Sequence, residues 1–362
     1  MKAAVFHGRR DIRIEDVPPP EPAAGELLVQ VACAGICGTD AFEYGNGPKM
    51  FPIEKRHPVT GHCGPMIPGH EFSGFVAAVG SGVSGFTDGD LITSGAGISC
   101  GTCPACAAGR NNLCVRYSTV GLERDGALAE FTTVPAAACI NLEGRSLTPD
   151  VAALAQPMSI GVHAMRRGRA TSGEDVVVLG AGGIGSFIVH AAAQEGARVT
   201  AIDLDGDRLK IAATLGAEQV IQSSRDTTLI DQLNQHELRP SVVYECTGGA
   251  FGIQTAVDIA IKGGRIVVVG LQKTPVAVDL LSVTLQEKEL IGTNAHVFDA
   301  DFGRSVDLLE GADELWRAVA PSVLPLDDVV GRGLDPMVNA EKTPIKTLID
   351  PIGEHERPIQ AV

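Results

Sequence analysis

Four cysteines in one short segment are spaced as metal ligands. They follow the pattern C-x2-C-x2-C-x7-C in a stretch rich in glycine, proline and asparagine, and they are Cys100, Cys103, Cys106 and Cys114. Four thiolates on one loop suit a closed tetrahedral zinc site, which leaves no position for a substrate. An iron–sulfur cluster and a metal-free cysteine-rich loop are the alternatives. The spacing predicts a structural zinc.

Two further segments carry side chains that can ligate a metal. They are Cys37-Gly38-Thr39-Asp40 and Gly69-His70-Glu71. A cysteine, a histidine and a carboxylate from separate segments can hold zinc while one position stays open for water or a substrate. Taken alone, a cysteine or a histidine is more often a core residue. The hypothesis of a second zinc site therefore depends on the order of all the motifs along the chain.

A glycine-rich turn follows an apolar run in the second half of the chain. The run 176–179 leads directly into Gly180-Ala181-Gly182-Gly183-Ile184-Gly185, which opens a helix-like segment. Glycines allow the backbone to approach a pyrophosphate, and the helix N-terminus supplies amides and a positive dipole end. The next strand ends at Asp203, whose carboxylate can bind ribose hydroxyls and would repel a 2′-phosphate. The pattern predicts NAD rather than NADP; a glycine turn with a solvated aspartate is the alternative.

The elements that must position these residues differ between the two halves. Residues 1 to about 144 contain short β-branched runs among glycines and prolines, which indicates short strands and loops. After about residue 155, strands and amphipathic helices alternate, as in a doubly wound parallel sheet. We expect the tail beyond His296 to return to the first domain, so the expected domains are 1–155 with 297–362, and 156–296. Predicted strands are 175–179, 198–203, 219–222, 241–246 and 265–270. One predicted helix begins at residue 184, and two others span 208–215 and 252–261.

Composition excludes some classes of partner. The 362 residues include 29 Lys plus Arg against 44 Asp plus Glu, a net charge of −15 that would repel nucleic acid. The N-terminus lacks the apolar core of a signal peptide. The uncharged stretch 176–194 is long enough to span a bilayer, but its four glycines favour a strand, turn and helix. Clustered cysteines suit a reducing compartment, so we expect a cytoplasmic protein without nucleic-acid or membrane partners.

In this order, the motifs resemble the zinc-containing medium-chain dehydrogenase/reductase family, which includes alcohol, sorbitol and butanediol dehydrogenases. The resemblance extends from Met1 to the segment 346–351. It implies a Rossmann doubly wound parallel sheet plus a GroES-like, mostly-β catalytic domain. It also implies that Cys37 and His70 ligate a catalytic zinc, with Glu71 as a ligand or close neighbour. Thr39 matches the hydroxyl that takes the alcohol proton, and Asp40 matches the carboxylate that orients the histidine.

The sorbitol and butanediol branch is the most similar. The segment 156–163 resembles the Glu-Pro-Leu-x-Val-Gly-x-His segment of polyol dehydrogenases, and the insert 45–68 resembles that of butanediol dehydrogenases. Two residues depart from the family pattern. Gln156 stands where the polyol branch has a glutamate at the metal site, and Phe42 stands where many members have a histidine that ends the proton relay. We expect substrate-lid or solvent roles, rather than metal binding, for residues of the insert such as His57, His62 and Cys63.

The cofactor assignments extend beyond the glycine loop. Thr247 and Gly248 follow a predicted strand, where an open α/β sheet receives its ligand. The resemblance places them near the cofactor, and we assign Arg208 to the same site. The expected enzyme carries one catalytic and one structural zinc. It transfers hydride between NAD and a secondary alcohol, such as a diol or polyol, with the ketone as the other reactant.

Two other functions are compatible with the same fold. They are a zinc-free quinone or enone reductase and a non-catalytic NAD-binding protein. The resemblance implies a homodimer or homotetramer, with 265–271 and 289–295 as candidate interface strands.

Overall fold

The computed structural model describes residues 1–223, 229–235, 238–249 and 251–360. The chain divides into two compact units. The first comprises Met1–Ser159 and Val297–Val362, and the second comprises Ile160–His296. No helix in the described ranges is long and apolar enough to cross a membrane.

Strands occur in both units. In chain order they are β1 (Lys2–Gly8), β2 (Asp11–Asp16), β3 (Glu26–Ile36), β4 (Glu71–Val79), β5 (Leu91–Ser94), β6 (Gly97–Ile98), β7 (Ser118–Thr119), β8 (Phe131–Pro135), β9 (Cys139–Asn141), β10 (Asp175–Leu179), β11 (Arg198–Asp203), β12 (Gln219–Gln222), β13 (Val242–Glu245), β14 (Arg265–Val268), β15 (Glu289–Gly292), β16 (Ser322–Pro325), β17 (Thr347–Asp350) and β18 (Arg357–Pro358).

The helices are shorter on average in the first unit. The α-helices are α1 (Gly38–Asn46), α2 (Pro104–Ala107), α3 (Pro149–Ala152), α4 (Ala155–Gly168), α5 (Gly183–Gln194), α6 (Gly206–Thr214), α7 (Leu229–Gln235), α8 (Gly252–Ile259), α9 (Leu280–Leu285), α10 (Gly303–Leu309), α11 (Asp313–Val319) and α12 (Asp335–Val338). Short 3-10 turns lie at Asn111–Leu113, Ala136–Ala138 and Leu326–Asp328, and π-helical turns lie at Phe298–Phe302 and Val329–Leu334.

The first unit is built on a mainly antiparallel sheet. Its strand order is β18-β16-β17-β3-β4-β5-β9, and β8 also pairs with β3. Along β3, Leu27, Val29 and Val31 are buried while Gln30 is exposed, which is the alternation of a strand with one face on a core. The prediction of a mostly-β domain is confirmed.

The end of the chain completes this sheet. β17 pairs antiparallel with β3, so that Thr347 lies opposite Ile36. Nearby in the chain, α11 carries Trp316, the protein's single tryptophan. Its side chain is fully buried, and its indole N–H donates a hydrogen bond to the carbonyl of Leu309 over 2.9 Å. The last segment of the chain is therefore part of the first unit's structure and lies beside the end of β3.

The second unit is a six-stranded parallel sheet in the order β12-β11-β10-β13-β14-β15. In β10, Val176, Val177 and Val178 are all buried, as expected for a strand covered on both faces. The strand order reverses between β10 and β13, and ligands of such sheets bind at this switch point beyond the carboxyl ends of the strands. The predicted doubly wound parallel sheet is confirmed.

Element bounds differ from the predictions by a few residues. β13 and β14 end one and two residues before the predicted ends. α6 begins at Gly206, earlier than predicted, because the Asp205 side chain caps it by accepting the Asp207 N–H. α1 was not predicted at all, and it carries two of the candidate site residues.

Candidate metal and cofactor sites

Cys37, His70 and Glu71 come together where β3 ends and β4 begins. Cys37 is the N-cap of α1, directly after β3. Glu71 begins β4 and lies opposite Gly35 of β3. The potential ligand atoms of the three side chains all lie within 4.8 Å of one another. A thiolate, an imidazole and a carboxylate in this arrangement can hold a zinc ion and leave a position open.

Asp40 links the turn at Cys37 to His70. Its Oδ2 accepts the Cys37 backbone N–H over 2.8 Å, and its Oδ1 lies 3.6 Å from His70 Nδ1. Within the described ranges, Oδ1 and Nδ1 are buried and make no hydrogen bond. A carboxylate facing Nδ1 directs the other ring nitrogen, Nε2, toward a metal.

The charge state of His70 depends on its neighbours. Burial lowers its pKa, but the charges of Asp40 and Cys37 raise it more, so that the pKa of His70 lies well above its usual value. A metal and a proton compete for the imidazole, so the affinity of a metal that binds here falls as the pH falls.

Lys346 contacts Glu71, the carboxylate of the ligand group. Its Nζ pairs with Glu71 Oε2 and donates to the carbonyl of Ile36 over 3.1 Å. The side chains of Lys346 and Glu71 are 5% and 1% exposed. Burial lowers the pKa of Lys346, but the Glu71 and Cys37 charges raise it above its ordinary value, so the lysine stays charged. Sequence analysis did not assign Lys346 to the site.

The donor set fits a zinc ion. Glu71 Oε1 is buried and makes no hydrogen bond to the described residues, which is costly for a carboxylate oxygen unless a cation or water binds it. Gly35 makes room for this carboxylate, because a Cβ at position 35 would overlap Glu71 Oε2. Thr39 lies in the first turn of α1, half-buried, and Gln156 is buried in the first turn of α4. The roles of Thr39 and Gln156 stay predictions.

The four-cysteine cluster forms a second group of potential ligands. The sulfur atoms of Cys100, Cys103, Cys106 and Cys114 lie within 4.8 Å of one another. The backbone N–H groups of Cys100 and Arg116 point at Cys114 Sγ over 3.2 and 3.3 Å. Hydrogen bonds, of which the backbone N–H of Thr102 gives the largest effect, lower the pKa of Cys100 to about 6. Burial and the neighbouring cysteines raise the pKa of Cys106 to about 11, so the four thiols are not equivalent without a metal. Four sulfur atoms this close together, with no further ligand in the group, fit a closed, structural zinc site.

The histidines of the insert make local contacts. His57 Nδ1 lies 3.2 Å from Thr60, and His62 Nε2 lies 3.2 Å from the carbonyls of Gly64 and Pro65. Within the described ranges, neither histidine belongs to a group of potential metal ligands. Their lid or solvent role stays a prediction.

The glycine loop joins β10 to α5, as expected. Gly180 has a φ of +93°, which favours glycine, and a Cβ at Gly185 would overlap the Gly180 carbonyl. Gly182 is the N-cap residue, and Gly183 and Ile184 open the helix. The Asp203 carboxylate is fixed at this loop, because its Oδ2 accepts the Ala181 N–H over 2.7 Å.

Arg208 lies beside the loop. A Cβ at Gly182 would lie 3.4 Å from its Nη1. Its Nε is buried and has no hydrogen-bond partner in the described part of the chain. A cationic side chain placed at a glycine loop and helix N-terminus suits an anionic ligand such as a pyrophosphate.

Thr247 and Gly248 follow β13, next to β10. The fully buried Glu245 organises them, because its Oε1 accepts the backbone N–H groups of Thr247 and Gly248 over 2.8 and 3.2 Å. Its Oε2 accepts from Gln272 Nε2 over 3.1 Å. Sequence reasoning missed this role of Glu245, although an acidic residue in an otherwise apolar strand was a usable signal.

Comparison with known families and proteins agrees with this geometry. The alcohol dehydrogenase GroES-like domain family matches residues 23–144, and the zinc-binding dehydrogenase family matches residues 183–311. The chain is 32% identical over 332 residues to 2-dehydro-3-deoxy-L-galactonate 5-dehydrogenase of Pseudoalteromonas atlantica, covering 91% of this chain and 93% of that protein. It is 36% identical over 295 residues to human sorbitol dehydrogenase, covering 80% of each.

Solved structures show the same architecture. 2R,3R-butanediol dehydrogenase from Bacillus subtilis has a TM-score of 0.86 at 27% identity, covering 97% of this chain and 99% of that one. An alcohol dehydrogenase from Escherichia coli CFT073, in complex with NADH, has a TM-score of 0.85 at 25% identity with the same coverage. A zinc-binding dehydrogenase from Sinorhizobium meliloti, bound to NADP, has a TM-score of 0.81 at 29% identity, again with that coverage.

The fold and the matched families define a zinc-binding, nicotinamide-dependent oxidoreductase. The chain belongs to the zinc-containing medium-chain dehydrogenase/reductase family, near its sorbitol and butanediol branch. It is a zinc-dependent alcohol dehydrogenase, as the resemblance predicted.

Proposed function

We propose that this enzyme oxidises a secondary alcohol with a neighbouring hydroxyl, a diol or polyol, to the ketone with NAD, and catalyses the reverse reduction. The observation that carries the proposal is the convergence of Cys37, His70 and Glu71 within 4.8 Å. The relatives named for sorbitol and butanediol support the substrate class. The ligand set argues against a zinc-free quinone or enone reductase.

Each side chain has a separate task. Cys37 and His70 hold the metal together with Glu71, and Asp40 holds the imidazole in place from the Nδ1 side. A zinc ion bound here supplies Lewis acidity that makes the substrate hydroxyl easier to deprotonate. Thr39 takes the hydroxyl proton and passes it toward solvent.

The cofactor site is specific for NAD. The pyrophosphate binds at the glycine loop and the N-terminus of α5, near Arg208. The Asp203 carboxylate accepts hydrogen bonds from the adenosine ribose and repels a 2′-phosphate. Structural neighbours hold NADH in one case and NADP in another, so the preference rests on Asp203.

Two zinc ions serve different purposes in this proposal, one for each group of ligands. The group at Cys37 is catalytic, since its three protein ligands leave a position open. The group at Cys100, Cys103, Cys106 and Cys114 is structural, since four sulfurs close the coordination sphere.

Metal analysis with a nicotinamide absorbance assay tests the function. Wild-type protein should contain about two zinc ions per chain and reduce NAD with secondary alcohols, most rapidly with diols or polyols. Cys37→Ala should keep only the structural zinc and lose activity. Cys139→Ala is a matched control, because Cys139 is a buried core residue outside both ligand groups. Wild-type protein that binds zinc only at the four-cysteine cluster and oxidises no alcohol contradicts the proposal and favours the zinc-free or non-catalytic alternative.

We also infer that the enzyme is a homo-oligomer that associates through the edge of its parallel sheet, a homodimer or homotetramer. β15 is the last strand of that sheet among the described residues. Leu281 and Leu285 on the preceding α9 are 68% and 74% exposed, and Leu290 of β15 is 40% exposed. Several exposed leucines beside an open strand edge support association with a second copy.

A further inference from the structure

We propose that Lys346 is a positioning residue for the metal site, which holds Glu71 Oε2 so that Glu71 offers the metal one oxygen, Oε1. This inference rests on the proposed function, because it requires a metal at Cys37, His70 and Glu71. It adds a residue to the site that is not itself a ligand.

The backbone fixes the position of Lys346. The residue directly precedes β17, whose first residue, Thr347, pairs with Ile36 at the end of β3. Its Nζ donates to the Ile36 carbonyl over 3.1 Å and pairs with Glu71 Oε2. With 5% of the lysine side chain exposed, water does not replace either contact. The ammonium group is therefore held between β3 and the Glu71 carboxylate.

The two oxygens of Glu71 are not equivalent. Oε2 pairs with Lys346 and packs against Gly35, where a Cβ would overlap it. Both oxygens are buried without a hydrogen bond that meets the full geometric criteria in the described part of the chain, but Oε2 has the Lys346 ammonium against it and Oε1 has no such cation. A carboxylate that used both oxygens would occupy one more coordination position, which a catalytic zinc keeps for the substrate. By engaging Oε2, Lys346 keeps that position open.

Charge balance gives Lys346 a second effect. The Cys37 thiolate and Glu71 together carry two negative charges beside a neutral His70, and a divalent ion neutralises them. An unpaired buried carboxylate is costly, so in the metal-free protein Lys346 stabilises Glu71. The lysine thus competes with the metal for Glu71 and weakens metal binding. Its removal should tighten the metal while destabilising the metal-free protein.

Cobalt substitution tests the coordination directly. Co²⁺ replaces zinc, and its visible d–d absorption is strong in four-coordinate sites and weak in sites with more ligands. The spectrum of Cys37→Ala, which holds cobalt only at the four cysteines, is subtracted from that of each protein, so that the absorption of the site at Cys37 remains. Lys346→Met should free Oε2 and so reduce the remaining d–d absorption to about half or less. It should also slow metal loss to a chelator about tenfold or more, because the charge that competes with the metal is gone. Lys346→Arg should behave like wild type.

A matched lysine and a second background separate positioning from general stability. Lys288→Met removes a lysine that is 7% exposed and donates to the Val257 carbonyl in the second unit, and it should leave the spectrum unchanged. In a Glu71→Gln background, Lys346→Met should have no further effect on the spectrum, because no carboxylate oxygen is left at position 71 for the lysine to hold. This double variant has no carboxylate at position 71 that the loss of Lys346 could leave unpaired, so the comparison remains possible if Lys346→Met alone does not fold.

The results that would overturn the role of Lys346 differ from those that would overturn the proposed function. A Lys346→Met spectrum and metal-loss rate equal to wild type, or an equal spectral effect of Lys346→Met in the Glu71→Gln background, overturns the role of Lys346 alone. Wild-type protein with no cobalt signal beyond that of the four cysteines overturns the proposed function as well.

Discussion

Individual charged side chains decide what the proposed sites bind. Asp203 faces the glycine loop with its carboxylate fixed by the Ala181 N–H. Lys346 contacts Glu71, and Asp40 faces His70, so each of these two candidate ligands has a charged neighbour. These groups are buried or half-buried, so their charges act with little screening by water.

The cofactor preference should change when Asp203 is removed. Asp203→Ala loses the ribose hydrogen bonds and the repulsion of a 2′-phosphate, so kcat/KM with NAD should fall about tenfold or more while the relative value with NADP rises. Asp207→Ala is the control, because the carboxylate of Asp207 is exposed and pairs with Lys210 at the surface. An unchanged NAD to NADP ratio in Asp203→Ala would show that another residue sets the preference.

Gln156 should tolerate a charge. In the proposed site, Cys37 and Glu71 already neutralise the zinc, and an added carboxylate would weaken the attraction of the metal for the substrate oxygen. The Gln156→Glu variant should keep its zinc. The pH at which its oxidation rate rises should be about one pH unit higher than in wild type. A pH–rate profile of kcat/KM measures this shift, and a profile that matches wild type would place Gln156 outside the site.

Sequence alone indicated the ligand types but not all of their surroundings. Cys37, His70 and Glu71 could be grouped only through the family resemblance, because they lie on separate segments. Lys346 had no local signal, since its partner Ile36 is 310 residues away in the chain. Long-range strand pairing between β17 and β3 brings it to the site, and such pairing is not encoded in any single segment.

Local elements were predictable where their signals were local. β10, the glycine loop and α5 follow from one apolar run and one glycine pattern. By contrast, α1 was missed because Gly38 and Gly45 weaken its helical pattern. It forms because the Asp40 side chain accepts the Cys37 N–H at its start, and because its inner face is buried. The helix depends on tertiary packing more than on propensity.

The four-cysteine segment should stabilise the fold through its metal. Cys103→Ser should lose one zinc per chain and lower the melting temperature by about 10 °C, while NADH binding, followed by fluorescence, stays intact. The binding measurement serves as the control for global unfolding. A variant that keeps both zinc ions and its melting temperature would show that the segment is not a zinc site.

Glu174 ties together the amino-terminal ends of three parallel strands. It directly precedes β10, accepts the Ser241 hydroxyl before β13 over 2.8 Å, and pairs with Arg265 of β14. Its Oε2 accepts the Thr171 N–H over 2.8 Å. Burial raises the pKa of Glu174, but these hydrogen bonds and the Arg265 charge lower it more, so the net shift is downward.

The stabilisation by Glu174 should depend on pH. Because the pKa of Glu174 is lower in the folded state, its ionised carboxylate stabilises the fold at pH values above the unfolded-state pKa, which is about 4.3. This stabilisation is lost as the pH falls through the folded-state pKa. Glu174→Gln should cost about 2 kcal/mol at pH 7 by denaturant unfolding, and less at about pH 4. Glu314→Gln, at an 85% exposed carboxylate, should change little at either pH. An equal cost of Glu174→Gln at both pH values would contradict the ionic role.

On the scale of the whole molecule, the exposed leucines of α9 should control assembly. Leu281→Asp should shift the protein to a smaller species in light scattering, since burying the new charge in an interface would be costly. Ile352→Asp changes a 49% exposed residue of the first unit and should leave the mass unchanged. A wild-type monomer, or a Leu281→Asp variant of wild-type mass, would rule out this interface.

The placement of Trp316 makes one unit of the molecule optically distinct. The only indole of the chain is fully buried in the first unit, and its N–H is bound to Leu309. Selectively excited emission therefore reports the unfolding of the first unit, whereas far-ultraviolet circular dichroism reports both. Coincident transitions in the two signals would identify a single cooperative unfolding step, and separate transitions would give each unit its own melting curve.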